Sequence, residues 1–279
     1  MGDHFNEGYP ADGELPVHPV TLDAFSMDRT ALSNEDFAQF IEATGYRTES
    51  ERLGYSAVFH AYLTAPDADI IGPAAGAPWW LGVRAASWRC PTGRDSSWED
   101  VPDHPVVQVS WNDARAYCRW AGRALPTEAQ WEYAARGLVP GARYAWGDEL
   151  TPGGVHQCNI WQGSFPTSNT LDDGYLGTAP GASFPANAVG LHDMAGNVWQ
   201  WCQDWFLPKY YRNSPVENPT GPTIGEGRVM RGGSHLCHDS YCNRYRVAAR
   251  SRNAPDAASS NTGFRTVSVP ARAPQDSMQ

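Results

Sequence analysis

The chain has 279 residues, with 21 Lys+Arg against 31 Asp+Glu and a formal net charge of −10. It has no basic run, which argues against nucleic-acid binding by counterion release, and no stretch approaching the ~18 apolar residues of a membrane span. Gly (27) and Pro (22) in excess, beside 12 Trp, 12 Tyr and 9 Phe, predict a folded, loop-rich protein with an aromatic core.

The polar, acidic start Met1-Gly2-Asp3-His4-Phe5-Asn6-Glu7 lacks the basic and apolar regions of a secretory signal, so a cytoplasmic protein is expected; a trimmed leader would leave the same start. Residues 1–15 read as a flexible end. Ser33-x-x-Asp36 opens a helix carrying Phe37, Phe40 and Ile41 on one face, with Gly45 as its stop. Ser110-x-x-Asp113 opens a second, with Trp111, Ala114, Tyr117, Cys118 and Ala121 facing inward and Gly122 ending it. Thr127-x-x-Gln130 opens a third, which carries Trp131, Tyr133 and Ala134 and closes at Gly137.

From Tyr144 to Val267 the pattern changes to short apolar pieces between Gly, Pro, Asn and Asp. Tyr245–Ala248 and Gly263–Val267 read as short strands. So much irregular backbone needs hydrogen-bond partners outside regular ladders; bound metal ions, buried Asn/Asp side chains and Trp/Tyr packing can supply them. No linker or low-complexity stretch divides the chain. The expectation is one α+β domain over residues 1–279, low in regular secondary structure, with a second flexible end at 268–279.

Six cysteines are present: Cys90, Cys118, Cys158, Cys202, Cys237 and Cys242. In a chain this long, cytosolic thiols are more often buried apolar groups than a disulfide framework. The exception is Arg231-Gly232-Gly233-Ser234-His235-Leu236-Cys237-His238-Asp239-Ser240-Tyr241-Cys242. Its glycines permit a tight turn or a close backbone approach, and a separation of five lets both sulfurs face one point from a loop. Zinc would need a second pair of ligands, whereas two thiolates alone suit a soft ion such as Cu(I). By spacing, a disulfide, a pair of inert buried thiols and a metal site all stay open.

The stretch Arg231–Arg250, with Ser259-Ser-Asn-Thr-Gly-Phe-Arg265, closely resembles the formylglycine-generating enzyme family. The likeness extends to Gly190-Leu-His-Asp-Met-Ala-Gly-Asn-Val-Trp-Gln-Trp201, Asn159-Ile-Trp-Gln-Gly163, Leu125-Pro-Thr-Glu-Ala-Gln-Trp-Glu-Tyr133, Val109-Ser-Trp-Asn-Asp113 and Pro78-Trp-Trp80, and so covers nearly the whole chain. It implies a compact domain related to the C-type-lectin fold. The implied activity is a copper-dependent oxidase that converts the cysteine of a Cys-x-Pro-x-Arg segment in an unfolded sulfatase to formylglycine, using O2 and an external thiol reductant and releasing hydrogen sulfide. A monomer is expected.

The resemblance implies Cu(I) on Cys237 and Cys242, with Ser234 and Asn261 lining the pocket, Trp199 forming an aromatic wall, and Tyr241 and His238 beside the ligands. His238 reads equally as a surface residue. Two calcium sites carry over: Asn159, the Ile160 carbonyl, Asp173 and Tyr175, then Asp193, Gly196, Val198 and Gln200. In the second, Asp193 and Gln200 stand where an Asn and a Glu are more usual. The bland reading of both sets is turn-capping acids. Glu49 and Glu51 lie where the family's peptide groove begins and are candidates for the substrate arginine, or else part of a solvated charged loop. The positions of the disulfides of some relatives read Cys118 against Thr266 and Ala135 against Val247, so neither can form; Cys158 and Cys202 can still meet in space. A lectin-like binding module without catalysis is the alternative function. The related iron-dependent sulfoxide synthases carry an extra helical domain for which this length leaves no room.

Overall fold

Each of the three expected helices forms where its start and stop signals place it. In the computed structural model, which describes residues 1–268, α1 spans Asn34–Thr44, α2 Glu49–Leu53, α3 Trp111–Ala121 and α4 Glu128–Arg136. Ser33 accepts from the Asp36 N–H, while Ser110 with Asp113 and Thr127 with Gln130 make full reciprocal capping boxes. Gly45 and Gly122 end α1 and α3 in left-handed caps. The five-residue α2 is an addition. Thr48 and Glu51 form its capping box, so the segment read as a charged loop begins with a helix.

Strands β1 (Tyr55–Phe59), β2 (Ile70–Ala74) and β3 (Ala77–Arg84) form a sheet in the order β1-β3-β2. The two-residue strand β4 (Arg123–Ala124) pairs with β11 (Val267–Ser268), and β5 (Gly163–Ser164) pairs with β6 (Ser168–Asn169). The central sheet has the order β10-β7-β8-β9, built from β7 (Trp199–Trp205), β8 (Arg228–Arg231), β9 (Ser251–Asn253) and β10 (Thr262–Gly263). In it β10 runs parallel to β7 while the other pairs are antiparallel, and β9 is left at the edge.

Two expected strands are corrected. Tyr245–Ala248 is a run of turns and a bend whose four residues are all buried, so it lacks the alternation of a half-buried strand. Arg246 points inward there, to Glu14 at 2.8 Å. Gly263–Val267 holds only the end of β10 and the start of β11, with Phe264–Thr266 between them in irregular backbone.

The core is aromatic, as composition predicts: Phe37, Trp88, Tyr117, Trp201 and Phe264 are among the buried side chains of its largest cluster. The irregular backbone is tied partly by buried amides, as expected. Asn197 donates to and accepts from the Ala179 backbone at 3.0 and 2.9 Å. Buried arginines are the means that composition did not suggest. Arg265 donates to the carbonyls of Asp28, Arg29, His192 and Asp193, and Arg231 joins Glu128 and Glu132 at 2.9 and 2.7 Å. The start of the chain belongs to this network and not to a flexible end: Asp3, Asp12 and Glu14 are buried, with Asp12 pairing Arg244 and Glu14 pairing Arg246. Residues 269–279, nearly all of the other expected flexible end, lie outside the described residues. No helix among the described residues is long and apolar enough to cross a membrane.

Candidate active site

β8 ends at Arg231, and the chain then turns on two glycines. Gly232 and Gly233 have φ of 91° and 70°, and a Cβ on Gly233 would lie 3.0 Å from the Tyr245 nitrogen. Both reasons for glycine, backbone freedom and close approach, are therefore met where the sequence proposed them. The turn buries Ser234 completely. Its carbonyl accepts from the Cys237 N–H at 2.8 Å, and the His238 carbonyl accepts from the Tyr241 and Cys242 N–H groups at 3.0 and 2.6 Å. These successive turns fold the five-residue separation back on itself, so that the sulfurs of Cys237 and Cys242 converge at 2.6 Å in a buried position.

All six cysteines are free, and the acidity of the close pair sets it apart. Burial pushes the Cys118 thiol up to about 12 and raises Cys158 and Cys202 as well. In the pair, the hydrogen bond from the Cys237 thiol holds Cys242 down, at about 7, against the opposing effect of burial. The nearby Arg244 guanidinium adds to that depression and is itself anchored by Asp12 at 2.6 Å. Cys237 is pushed well up, by burial first and then by its neighbour, so the two titrate as a pair in which Cys242 is the more acidic thiol. Cys158 and Cys202 lie in separate core clusters.

A cavity of about 450 Å³ opens onto the two sulfurs. Trp199, Ser234, Tyr241 and Asn261 line it, as expected, together with Trp80, Phe165, Met230 and Arg244. Asn261 donates to the Ser234 hydroxyl at 2.9 Å and accepts from Ser259 at 2.8 Å, which fixes its amide orientation. Tyr241 stacks on Phe165 with centroids 4.4 Å apart, and Trp79 meets it edge-on at 5.2 Å. The edge strand β9 contributes Ser251 and Asn253 to the rim.

Three candidate substrate contacts lie elsewhere. His238 turns to Ser240 and Asp239, at 2.8 and 3.0 Å, and is absent from the cavity lining. Glu51 is committed to capping α2 through Thr48 and to Arg89 at 3.2 Å. Glu49 accepts from Asn112 at 3.3 Å and lies 3.9 Å from Arg52. Neither acid lines the cavity, because the helix that carries them spends their carboxylates locally.

The two expected calcium sets differ. In the first, the Ile160 carbonyl and the Asp173 carboxylate both receive the Gln162 amide, and the Ile160 and Tyr175 N–H groups donate to Asp173 at 3.0 Å. The Asn159 amide nitrogen is used by the Gly177 carbonyl, while its oxygen is buried with no partner among the described residues. Crowded oxygens and an orphaned amide oxygen fit a hard cation. In the second set, Gln200 is already saturated: its oxygen accepts from Trp131 and Arg265 at 2.8 and 2.7 Å, and its nitrogen donates to the Asp193 carbonyl at 2.8 Å. Asp193 keeps one buried oxygen without a partner, and Gly196 and Val198 follow in the same buried loop. With the Arg265 cation already on Gln200, the residues present do not fit a second cation held through Gln200.

The sequence comparison settles the relationship. Residues 1–269 match the family described as sulfatase-modifying factor enzyme 1-like domain. The chain belongs to this family. It is 64% identical over 265 residues to the formylglycine-generating enzyme of Streptomyces coelicolor, covering 95% of this chain and 84% of that protein. It is 54% identical over 275 residues to the enzyme of the same name from Thermomonospora curvata, covering 97% and 90%. Among solved structures, PvdO from Pseudomonas aeruginosa superposes with a TM-score of 0.67 at 22% identity, covering 96% of this chain and 89% of that one, a likeness of fold.

Within this family scaffold, one residue of the cavity escaped the sequence reading. Arg244 follows the second cysteine by two positions, but its anchor, Asp12, is at the opposite end of the chain. His235 lies inside the quoted motif yet is fully buried, with Nδ1 2.7 Å from the Asn197 carbonyl and Nε2 unpartnered among the described residues. Burial pushes its pKa down to about 4, so the ring is neutral and Nδ1 carries the proton.

Proposed function

We propose that this protein is a copper-dependent oxidase that converts the cysteine of a Cys-x-Pro-x-Arg segment in an unfolded sulfatase to formylglycine. The observation that carries the reading is the convergence of two buried sulfurs, one of them acidic, at the floor of a cavity large enough for a peptide side chain. The names of the two bacterial relatives, formylglycine-generating enzymes, agree with it.

Removing hydrogen sulfide from the substrate's CH2–SH carbon and leaving an aldehyde withdraws two electrons, while reduction of O2 to water takes four. Two molecules of an external thiol supply the rest and leave as a disulfide, so each turnover yields one aldehyde, one hydrogen sulfide and one water. Cys237 and Cys242 would hold Cu(I), which suits soft sulfur ligands at low coordination number. The metal supplies a route for O2 to react with a thiol, a reaction otherwise barred by spin.

The protein's own residues do the rest. Cys242 is the more acidic of the two thiols and so gives up its proton first as a metal loads the site. Ser234 and Asn261 place a hydroxyl and an amide beside the sulfurs, and Trp199, Trp80 and Phe165 exclude water around them. The substrate, a linear segment, would lie in extended form along the rim, where β9 offers unpaired edge backbone. Calcium at Asn159, Ile160, Asp173 and Tyr175 would brace the loop that leads to Trp161 and, through the Trp161 N–H to the Cys237 carbonyl at 3.1 Å, the cysteine loop itself.

The direct test incubates the protein with one equivalent of Cu(I), O2, a thiol reductant and a Cys-x-Pro-x-Arg peptide, and follows the peptide by mass spectrometry. Conversion of the thiol to an aldehyde is expected. An unchanged peptide, with the metal bound, would overturn the reading.

A further inference from the structure

A second cavity, of about 340 Å³, lies apart from the cysteine site and shares no lining residue with it. That volume falls in the range of small-molecule sites. Its walls carry four arginines from three elements: Arg115 and Arg119 one turn apart on α3, Arg123 on β4 and Arg228 on β8. This is notable in a chain of net charge −10 whose only lysine is Lys209.

Arg228 is built in with care. Its guanidinium lies 3.7 Å from the ring centres of both Trp111 and Trp205, and one of its terminal nitrogens donates to the Gln203 carbonyl at 2.8 Å. The two rings fix the plane of the group, while its Nε–H is buried with no acceptor among the described residues. Arg115 lies over Trp111 as well, at 4.9 Å. Burial and then the nearby charge of Arg115 hold Arg228 down, at about 10.

Carboxylates do not offset these charges. Arg123 is paired with Asp28 at 2.5 Å, but among the described residues Arg115, Arg119 and Arg228 have no salt bridge. Asp204, the acid whose charge acts on Arg228, accepts from the Glu128 N–H, and burial raises its carboxyl to about 8. Three planar forks without carboxylate partners line one ligand-sized space, one of them preset by two tryptophans, and offer hydrogen-bond donors to a tetrahedral oxyanion.

We infer that the cavity between α3, β4 and β8 binds a phosphate- or sulfate-type oxyanion, free or carried on a small molecule. The oxyanion accepts from the forks of Arg115, Arg119 and Arg228, and the cavity leaves room for an attached group.

Calorimetric titration of the full chain with inorganic phosphate, inorganic sulfate and a nucleoside monophosphate, at constant ionic strength, tests this. Saturable millimolar or tighter binding of at least one is expected. Tighter binding of the monophosphate than of free phosphate assigns the attached form, and the reverse assigns the free ion. Arg115→Gln/Arg119→Gln, on the outer face of α3, should weaken binding by about tenfold or more. Arg228→Gln should do the same, provided thermal melting shows that it folds. Absence of saturable binding to the wild-type chain, or binding unchanged in the folded double variant, would overturn the inference. Neither readout involves Cys237 or Cys242, so the result stands apart from the oxidase assay.

Discussion

Cys118 and Cys242 are nearly equally buried, 4% and 5% exposed, yet burial drives one thiol up to about 12 while a neighbouring thiol holds the other near 7. The difference is first the hydrogen bond from Cys237 and then the Arg244 guanidinium, which together make Cys242 the more acidic thiol. Cys237→Ser and Cys242→Ser should each abolish both Cu(I) binding and peptide oxidation, whereas Cys90→Ser, at a site remote from the cavity, should leave both intact; metal competition titration and the peptide assay read the two. Asn261→Ala removes the amide that holds the Ser234 hydroxyl. It should lower kcat by about 10²-fold, as losing a positioned polar group does, with Cu(I) affinity unchanged in the same titration. At this scale the sequence was legible wherever the chemistry lay in one contiguous run, as in Gly232–Cys242. Arg244 was not read as part of the site because the group that places it, Asp12, is remote in the chain.

The helix signals were legible for the same reason: a cap and its partner are three residues apart. The placement of Glu49 and Glu51 is instructive. Thr48-x-x-Glu51 has the form of a capping box but lacks an apolar run behind it, so its carboxylate looked available. Thr48→Ala should therefore destabilise the fold by about 1 kcal/mol in urea denaturation, while Glu49→Gln should leave the KM for a Cys-x-Pro-x-Arg peptide unchanged. A large rise in KM for the latter would assign Glu49 to the substrate arginine. Tyr245–Ala248 failed as a strand because all four side chains face inward, a pattern that periodicity cannot separate from other buried backbone.

Across the whole molecule, a network of buried ions does what ladders do in more regular folds. Arg231 bridges Glu128 and Glu132, Arg250 returns to Glu128 at 2.6 Å, and Arg136 closes on Glu132 at 2.9 Å. None of this was legible from composition, where charge reads as surface. Removing one partner strands the others, so Arg231→Met should cost about 3–5 kcal/mol in the same denaturation experiment. The network also fixes the pH dependence. Glu132, despite burial, is drawn down to about 2 by Arg231 and Arg136; it stabilises the fold above its ordinary 4.5 and loses that effect as pH falls toward 2. Asp204 is raised to about 8, by burial and then by Glu128. Its contribution is complete below 3.8 and declines as pH rises toward 8, so Asp204→Asn should gain in melting temperature over the wild type across that interval.

The account's central claim is that two particular sulfurs jointly hold one soft ion. Thiol alkylation with and without one equivalent of Cu(I), mapped by peptide mass spectrometry, tests it most directly. Protection of Cys237 and Cys242 together, with the other four cysteines unaffected by the metal, is the predicted result. Protection of a different pair, or labelling of Cys237 and Cys242 that the metal does not change, would contradict it.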